Sequence, residues 1–132
     1  MRASVPLLLA LTVAACMPAA SQAPTAEAGE LEVAVVAGPV CPVETVPPDP
    51  ACDPRPVAGA RVFVSPGDGR DILVGEAVTD DEGIARLSLV PGDYILAGDA
   101  VEGMLGMPQP MAVTVAPRRT TIVTLSYDTG IR

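Results

Sequence analysis

The amino-acid sequence predicts an all-β sandwich of about seven short antiparallel strands. Three observations predict it. From Leu31 onward apolar and polar residues alternate with a period of two, the spacing of a half-buried strand. The chain is 49% hydrophobic but has one Phe, two Tyr and no Trp. Its core must therefore be built from Val, Leu, Ile and Ala, and the β-branched members of that set favour strands. Fifteen Pro and twelve Gly punctuate the chain too often for long helices.

Residues 1–15 read as a signal peptide. Arg2 supplies a short positive region, and Val5 to Val13 an apolar one interrupted only by Pro6 and Thr12. That run is too short to cross the roughly 30 Å hydrocarbon core of a bilayer as a helix. It ends in Val13-Ala14-Ala15-Cys16, which resembles the lipobox of bacterial lipoproteins. The resemblance implies cleavage before Cys16, a diacylglyceryl thioether on its sulfur and usually an acylated amine. The other reading is an ordinary secreted protein cut elsewhere, which would leave Cys16 as an odd thiol. Two or three acyl chains on one residue give stable membrane attachment where one does not. Cleavage also removes Arg2, so sixteen acids face seven Arg and the net charge becomes −9.

Residues 16–29 hold the lipidated Cys and a flexible tether. From Met17 to Gly29 the chain is rich in Ala, Pro, Ser and Thr and has no apolar periodicity, as linkers do. Its shortness suggests work close to the membrane surface.

Residues 30–132 form the sandwich. Leu31 to Ala37 is the first strand, followed by a Pro-rich excursion from Gly38 to Pro56. Ala60 to Ser65 is the second, with Val62 and Val64 on one face and Arg61 and Phe63 on the other. Pro66-Gly67-Asp68-Gly69 turns into a third strand over Ile72 to Thr79. Asp80-Asp81-Glu82-Gly83 turns into a fourth, Ile84 to Val90, and Pro91-Gly92-Asp93 into a fifth, Tyr94 to Gly98. A looser loop holds Gly103, Gly106, Pro108 and Pro110. Met111 to Ala116 and Thr120 to Tyr127 are the last two strands, joined through Pro117-Arg118-Arg119.

Three stretches, PVAGARVFV, AVTDDEGIARLSLVPGDYIL and MAVTVAPRRTTIVTLSYD, together resemble the carboxypeptidase regulatory-like, or Cna B-type, domains. The resemblance implies a single Ig-like or prealbumin-like sandwich over residues 30–128. Ala85, Leu87, Leu89, Tyr94 and Leu96 would then point into the core, with Arg86 and Ser88 outward. Such domains mostly serve as structural, spacer or ligand-binding modules without a shared catalytic site. Some cross-link themselves through an isopeptide bond between Lys and Asn or Asp. This chain has neither Lys nor Asn, so that bond cannot form.

Cys41 and Cys52 bracket ten residues that include four prolines. In an oxidising envelope compartment they are expected to form a disulfide. Closing such a loop stabilises a fold by roughly 3 kcal/mol in the chain-entropy treatment. A metal site on two Cys lacks further ligands; free thiols are the other option. The bracketed loop is the largest irregular feature of the domain, and with the Gly103 to Pro110 loop it is the expected contact surface.

The residues argue against most catalysis. Without His or Lys, the usual general bases near neutral pH are missing, so Ser65, Ser88 and Ser126 have nothing to deprotonate them. Asp128-Thr129-Gly130 spells the motif of aspartic proteases, where two Asp share a proton. Here only Ile131 and Arg132 follow it, and a polar tail is the better reading. Asp80, Asp81 and Glu82, with Asp68 and Asp71, offer hard oxygens for calcium, although acids are also ordinary in hairpin turns. Three Met between Gly103 and Met111 suit an adaptable apolar contact better than copper. Sugar stacking would rest on Phe63 alone. Excess negative charge disfavours nucleic acid.

The expectation is a non-catalytic, cofactor-free lipoprotein of the cell envelope, on its periplasmic or extracellular face. It would be attached to the membrane through Cys16 and act as a structural or protein-interaction module. The alternative is a carrier of a small ligand or calcium.

Overall fold

A computed structural model describes residues 27–132, and it is all β apart from one 3-10 turn at Pro50–Cys52. The strands are β1 (Gly29–Gly38), β2 (Arg55–Pro56), β3 (Arg61–Pro66), β4 (Gly75–Val78), β5 (Ile84–Leu89), β6 (Gly92–Gly98), β7 (Met111–Val115) and β8 (Thr120–Asp128). The expected signal peptide, Cys16 and most of the expected tether lie outside the described residues.

Two four-stranded sheets face each other. In the first, β1 is central, with β8 on one side and β5 and β2 on the other; the second runs β4-β3-β6-β7. Alternation decides which side chains meet between them. Leu31, Val33 and Val35 of β1 are fully buried, as are Val62 and Val64 of β3 and Leu96 of β6. Ala85, Leu87 and Leu89 point inward from β5 while Arg86 and Ser88 face solvent. Tyr94 is only partly buried, at the margin of the core.

Three features depart from the pattern read along the chain. One is an eighth strand, β2, a two-residue segment that extends the β5 side of the sheet by pairing Val36 with Pro56 and Ala37 with Arg55. Another is the pairing of β8 with β1, which is parallel from Glu30↔Thr120 to Gly38↔Asp128, so the sandwich is not wholly antiparallel. The β7–β8 connection passes from one sheet to the other rather than folding back as a hairpin, and it delivers β8 running the same way as β1. Finally, the expected third strand is ordered only over Gly75–Val78. Ile72, Leu73 and Val74 stay exposed, tied to β3 through the Val74 N–H and the Val64 carbonyl at 2.9 Å.

The turn before β5 is built from its own residues. Asp80 Oδ1 accepts the N–H groups of Glu82 at 2.9 Å and Ile84 at 3.0 Å. Gly83 takes a positive φ of 75° and offers its carbonyl to Val35 N–H at 2.8 Å. Every buried side-chain polar atom among the described residues has a hydrogen-bond partner. None of the described helices is long and apolar enough to cross a membrane.

Strand direction sorts the loops onto two ends. The chain enters at Gly29 beside the 67–74, 90–91 and 116–119 connections, where Arg118 meets Glu27 at 2.6 Å and donates its N–H to the Ala28 carbonyl. The C-terminal ends of β1, β6 and β8 all lie at the opposite, far end. At about 3.3 Å per residue, the ten residues of β1 separate the ends by roughly 30 Å.

Candidate functional site

The far end carries both loops that the sequence singles out. Cys41 and Cys52 are disulfide-bonded, their Cα atoms 5.3 Å apart. Within the loop, Asp49 Oδ1 accepts Ala51 N–H at 2.9 Å and Thr45 Oγ1 donates to the Pro47 carbonyl at 3.0 Å. No side chain from 42 to 51 enters the core, and Val46 is 98% exposed.

The second loop, residues 99–110, is stitched to the end of β8. Leu105 N–H donates to the Asp128 carbonyl at 2.7 Å, and the Tyr127 hydroxyl donates to the Asp99 carbonyl. Tyr127 is 1% exposed; burial pushes its phenol above the usual range, and the nearby Asp99 charge adds to this. Residues 128–132 tie this second loop to the end of β1, where the chain leads into the disulfide loop. Thr129 donates its N–H to the Gly38 carbonyl at 3.2 Å and its hydroxyl to the Pro39 carbonyl.

An open groove of about 530 Å³ lies among the flanks of the disulfide loop, the second loop and the tail, lined by Val40, Arg55, Val57, Met104, Thr129 and Ile131 among others. Its wall is mostly apolar. Val43, Val46, Leu105 and Met107 add exposed apolar side chains on the two loops. Among the described arginines, only Arg55 and Arg119 form no ion pair with a described carboxylate, so the groove carries a free cation on an acidic molecule.

The other candidate residues fall elsewhere. Asp128 accepts hydrogen bonds from Arg132 and from Gly130 N–H, which hold its carboxyl below the usual range. This surface carboxylate serves the tail turn, as the polar-tail reading expects. Asp80 is committed to its turn, and among the described residues no three acids or cysteines converge as a metal-binding group. Asp68 is paired with Arg70 at 2.7 Å. Phe63 lies on the outer face of β3, in a shallow depression with Arg61, Asp71 and Asp99. Met104 and Met111 pack on the core margin while Met107 is exposed.

Arg55 and Tyr127 were not among the sequence candidates. Arg55 stands between two prolines just past Cys52, so it reads as loop. Tyr127 reads as core, and its link to Asp99 spans 28 residues.

No protein-family profile matches the chain, and no curated protein matches its sequence. Solved structures do share its fold. The minor pilin GBS52 of Streptococcus agalactiae superposes with a TM-score of 0.59 at 23% identity, over 77% of this chain and 44% of the pilin. The major pilin SpaD of Corynebacterium diphtheriae gives 0.55 at 14% identity, over 79% of this chain and 33% of the pilin. A Pseudomonas aeruginosa protein, provisionally described as carbohydrate-binding, gives 0.52 at 13% identity, over 77% and 90%. The chain thus spans less than half the length of either pilin. At these identities the likeness establishes a pilin-like β-sandwich fold, in line with the Cna B-type sandwich that the sequence resembles.

Proposed function

We propose that this chain is a non-catalytic, lipid-anchored module of the cell envelope that engages a partner protein through its far end. The observation that carries the reading is one apolar groove lined by Val40 and Arg55, which flank the disulfide loop, by Met104 of the 99–110 loop and by Thr129 and Ile131 of the tail, at the end opposite the entry of residues 27–29. A lipid on Cys16 would hold the entry end near the membrane and turn the groove away from it. The fold shared with pilins supports a structural or adhesion role. The lack of His and Lys supports a role without general acid–base chemistry.

The experiment is affinity capture from solubilised envelopes with the full chain, the Cys16→Ser variant, and a chain whose residues 42–51 are replaced by a Gly/Ser segment of equal length. A stoichiometric partner is expected with the full chain and lost with the loop replacement while the domain stays folded. Fatty-acid labelling that disappears in Cys16→Ser is expected for the anchor. Capture unchanged by the loop replacement, or no labelling of the full chain, would reject the corresponding half of the proposal.

The groove itself favours a second reading, a carrier of a small apolar ligand with an anionic group facing Arg55. That reading expects an upward shift in melting temperature with such a ligand above its Kd, lost in Arg55→Ala. Calcium has less support, because Asp80 is spent on backbone N–H groups and on Arg86, and no three acids converge among the described residues.

A further inference from the structure

Among the described residues the two sheets have four edges, and three of them are guarded. Edge strands expose a row of unpaired N–H and C=O groups, which folded proteins blunt with charge, proline or brevity. The β4 edge has four residues and carries Glu76 in an ion pair with Arg61 at 2.8 Å. The β5 edge carries Arg86, paired with Glu32 at 3.2 Å. The β7 edge has five residues, with Pro110 and Pro117 close on either side. The β8 edge has nine residues, and from Thr120 to Tyr127 it contains no charge and no proline.

The register shows which backbone groups β8 leaves free. Arg119 offers its carbonyl to Glu30 N–H, and Thr129 offers its N–H to the Gly38 carbonyl. Odd residues of β8 therefore pair with β1, and the groups of even residues point outward. Asp128 uses its outward carbonyl to accept Leu105 N–H. For Ile122, Thr124 and Ser126 no such partner exists among the described residues. Their side chains are exposed, Ile122 at 69%.

We propose that this edge is a self-association seam, on which β8 of a second copy adds antiparallel about a two-fold axis at Thr124. A two-fold contact must match itself. Here Thr124 meets Thr124 of the other copy and Ile122 meets its Ser126, so each outward N–H finds a carbonyl. The second copy is favoured as occupant by charge. Every copy carries the same excess of acids, net −8 over the whole chain, and like charges placed opposite one another destabilise a strand pair. The stretch from Thr120 to Tyr127 lets two such molecules meet without any. Asp128, capped by Leu105, limits the seam to the middle of the strand.

The test is oxidative cross-linking of the full-length Thr124→Cys variant in intact envelopes. Paired Cα atoms in a hydrogen-bonded antiparallel position lie about 5.5 Å apart, within disulfide reach. A covalent dimer is expected for Thr124→Cys and not for Ser88→Cys, on the opposite edge strand of the same sheet, nor for the unsubstituted chain. In sedimentation of the purified full chain, Thr124→Lys is expected to weaken association at least about tenfold, or 1.4 kcal/mol. Thr124→Val should leave it intact, and both variants should keep the β-rich circular dichroism. A Thr124→Cys chain that stays folded but forms no dimer, or cross-links only to a different protein, overturns the proposal. So does a concentration-independent monomer in sedimentation.

Discussion

The hydroxyl of Thr79 donates to the Val57 carbonyl at 2.6 Å. It also accepts the N–H of Ala60 at 2.8 Å, and Val57 and Ala60 flank the turn that leads into β3. Thr79 is the one buried polar residue of the described chain, so its hydroxyl stands in for a strand ladder where β4 ends. Replacing it with Val keeps the shape and leaves two buried backbone groups unpaired. That should cost about 1–3 kcal/mol, a drop in melting temperature of roughly 4–8 °C per kcal/mol for a domain near this size. Thr79→Ser, which keeps the hydroxyl, should lose much less. Equal losses for the two variants, measured by thermal unfolding, would show that the methyl group matters and the hydroxyl does not.

Opening the disulfide should destabilise the domain without dismantling it. The Cys41→Ser/Cys52→Ser variant is expected to lose roughly 3 kcal/mol, because the loop's entropy returns to the unfolded state. The β-sheet signal should survive, since residues 42–51 contribute nothing to the core. A denaturant titration with and without reductant checks both statements.

Two glycines separate conformational strain from collision. Gly59 and Gly83 both hold positive φ, 70° and 75°. A Cβ at Gly59 would meet nothing within 4 Å, whereas at Gly83 it would stand 2.7 Å from the Val35 carbonyl oxygen and 3.0 Å from Val57 N. Gly59→Ala should cost only the left-handed penalty of about 1–2 kcal/mol. Gly83→Ala should cost clearly more and disturb the β1–β2 junction. Similar melting temperatures for the two variants would contradict this.

Stability should fall on the alkaline side through Tyr127. Its phenol titrates higher in the fold than in the unfolded chain, first because it is buried and then because Asp99 is near. The fold therefore favours the protonated form. The contribution is fully present below the ordinary tyrosine pKa of about 10 and is lost as pH rises through the higher folded value. Tyr127→Phe should remove the link to Asp99 and flatten this alkaline loss. An unchanged pH profile between about 9 and 11 would mean that another group is responsible.

Local chemistry was legible and long-range adjacency was not. The alternation at Arg61, Val62, Phe63 and Val64 separated the two faces of β3 correctly, because a strand's period is two and each face has one environment, and the family resemblance placed Ala85, Leu87 and Leu89 inward. The 79–83 turn was legible because Asp80 and Gly83 build it from their own atoms. The pairing of β1 with β8 joins residues 90 apart, and no local signal carries such a partnership. Ile72 to Val74 misled for the opposite reason: an apolar run marks a strand only when a facing sheet covers it. The 42–51 and 99–110 segments were legible as loops, but their place at one end depends on strand directions that only the assembled sheets define.

The parallel β1–β8 pair also has a mechanical meaning. A pull between residue 27 and residue 132 would run along both strands in opposite senses at opposite ends, loading their ladder from Glu30↔Thr120 to Gly38↔Asp128 in shear. All the hydrogen bonds of a sheared ladder must yield together, whereas a hairpin pulled from one end opens a bond at a time. Forced unfolding is governed by the unfolding rate, and this geometry should slow it. In single-molecule pulling, attachment at 27 and 132 is expected to need a distinctly higher force than attachment at 27 and the 116–119 connection, which lies at the same end and peels β8 from β1 a bond at a time. A domain held at one end and gripped at the other would thus behave as a lap joint, strongest along the line in which an anchored module is pulled.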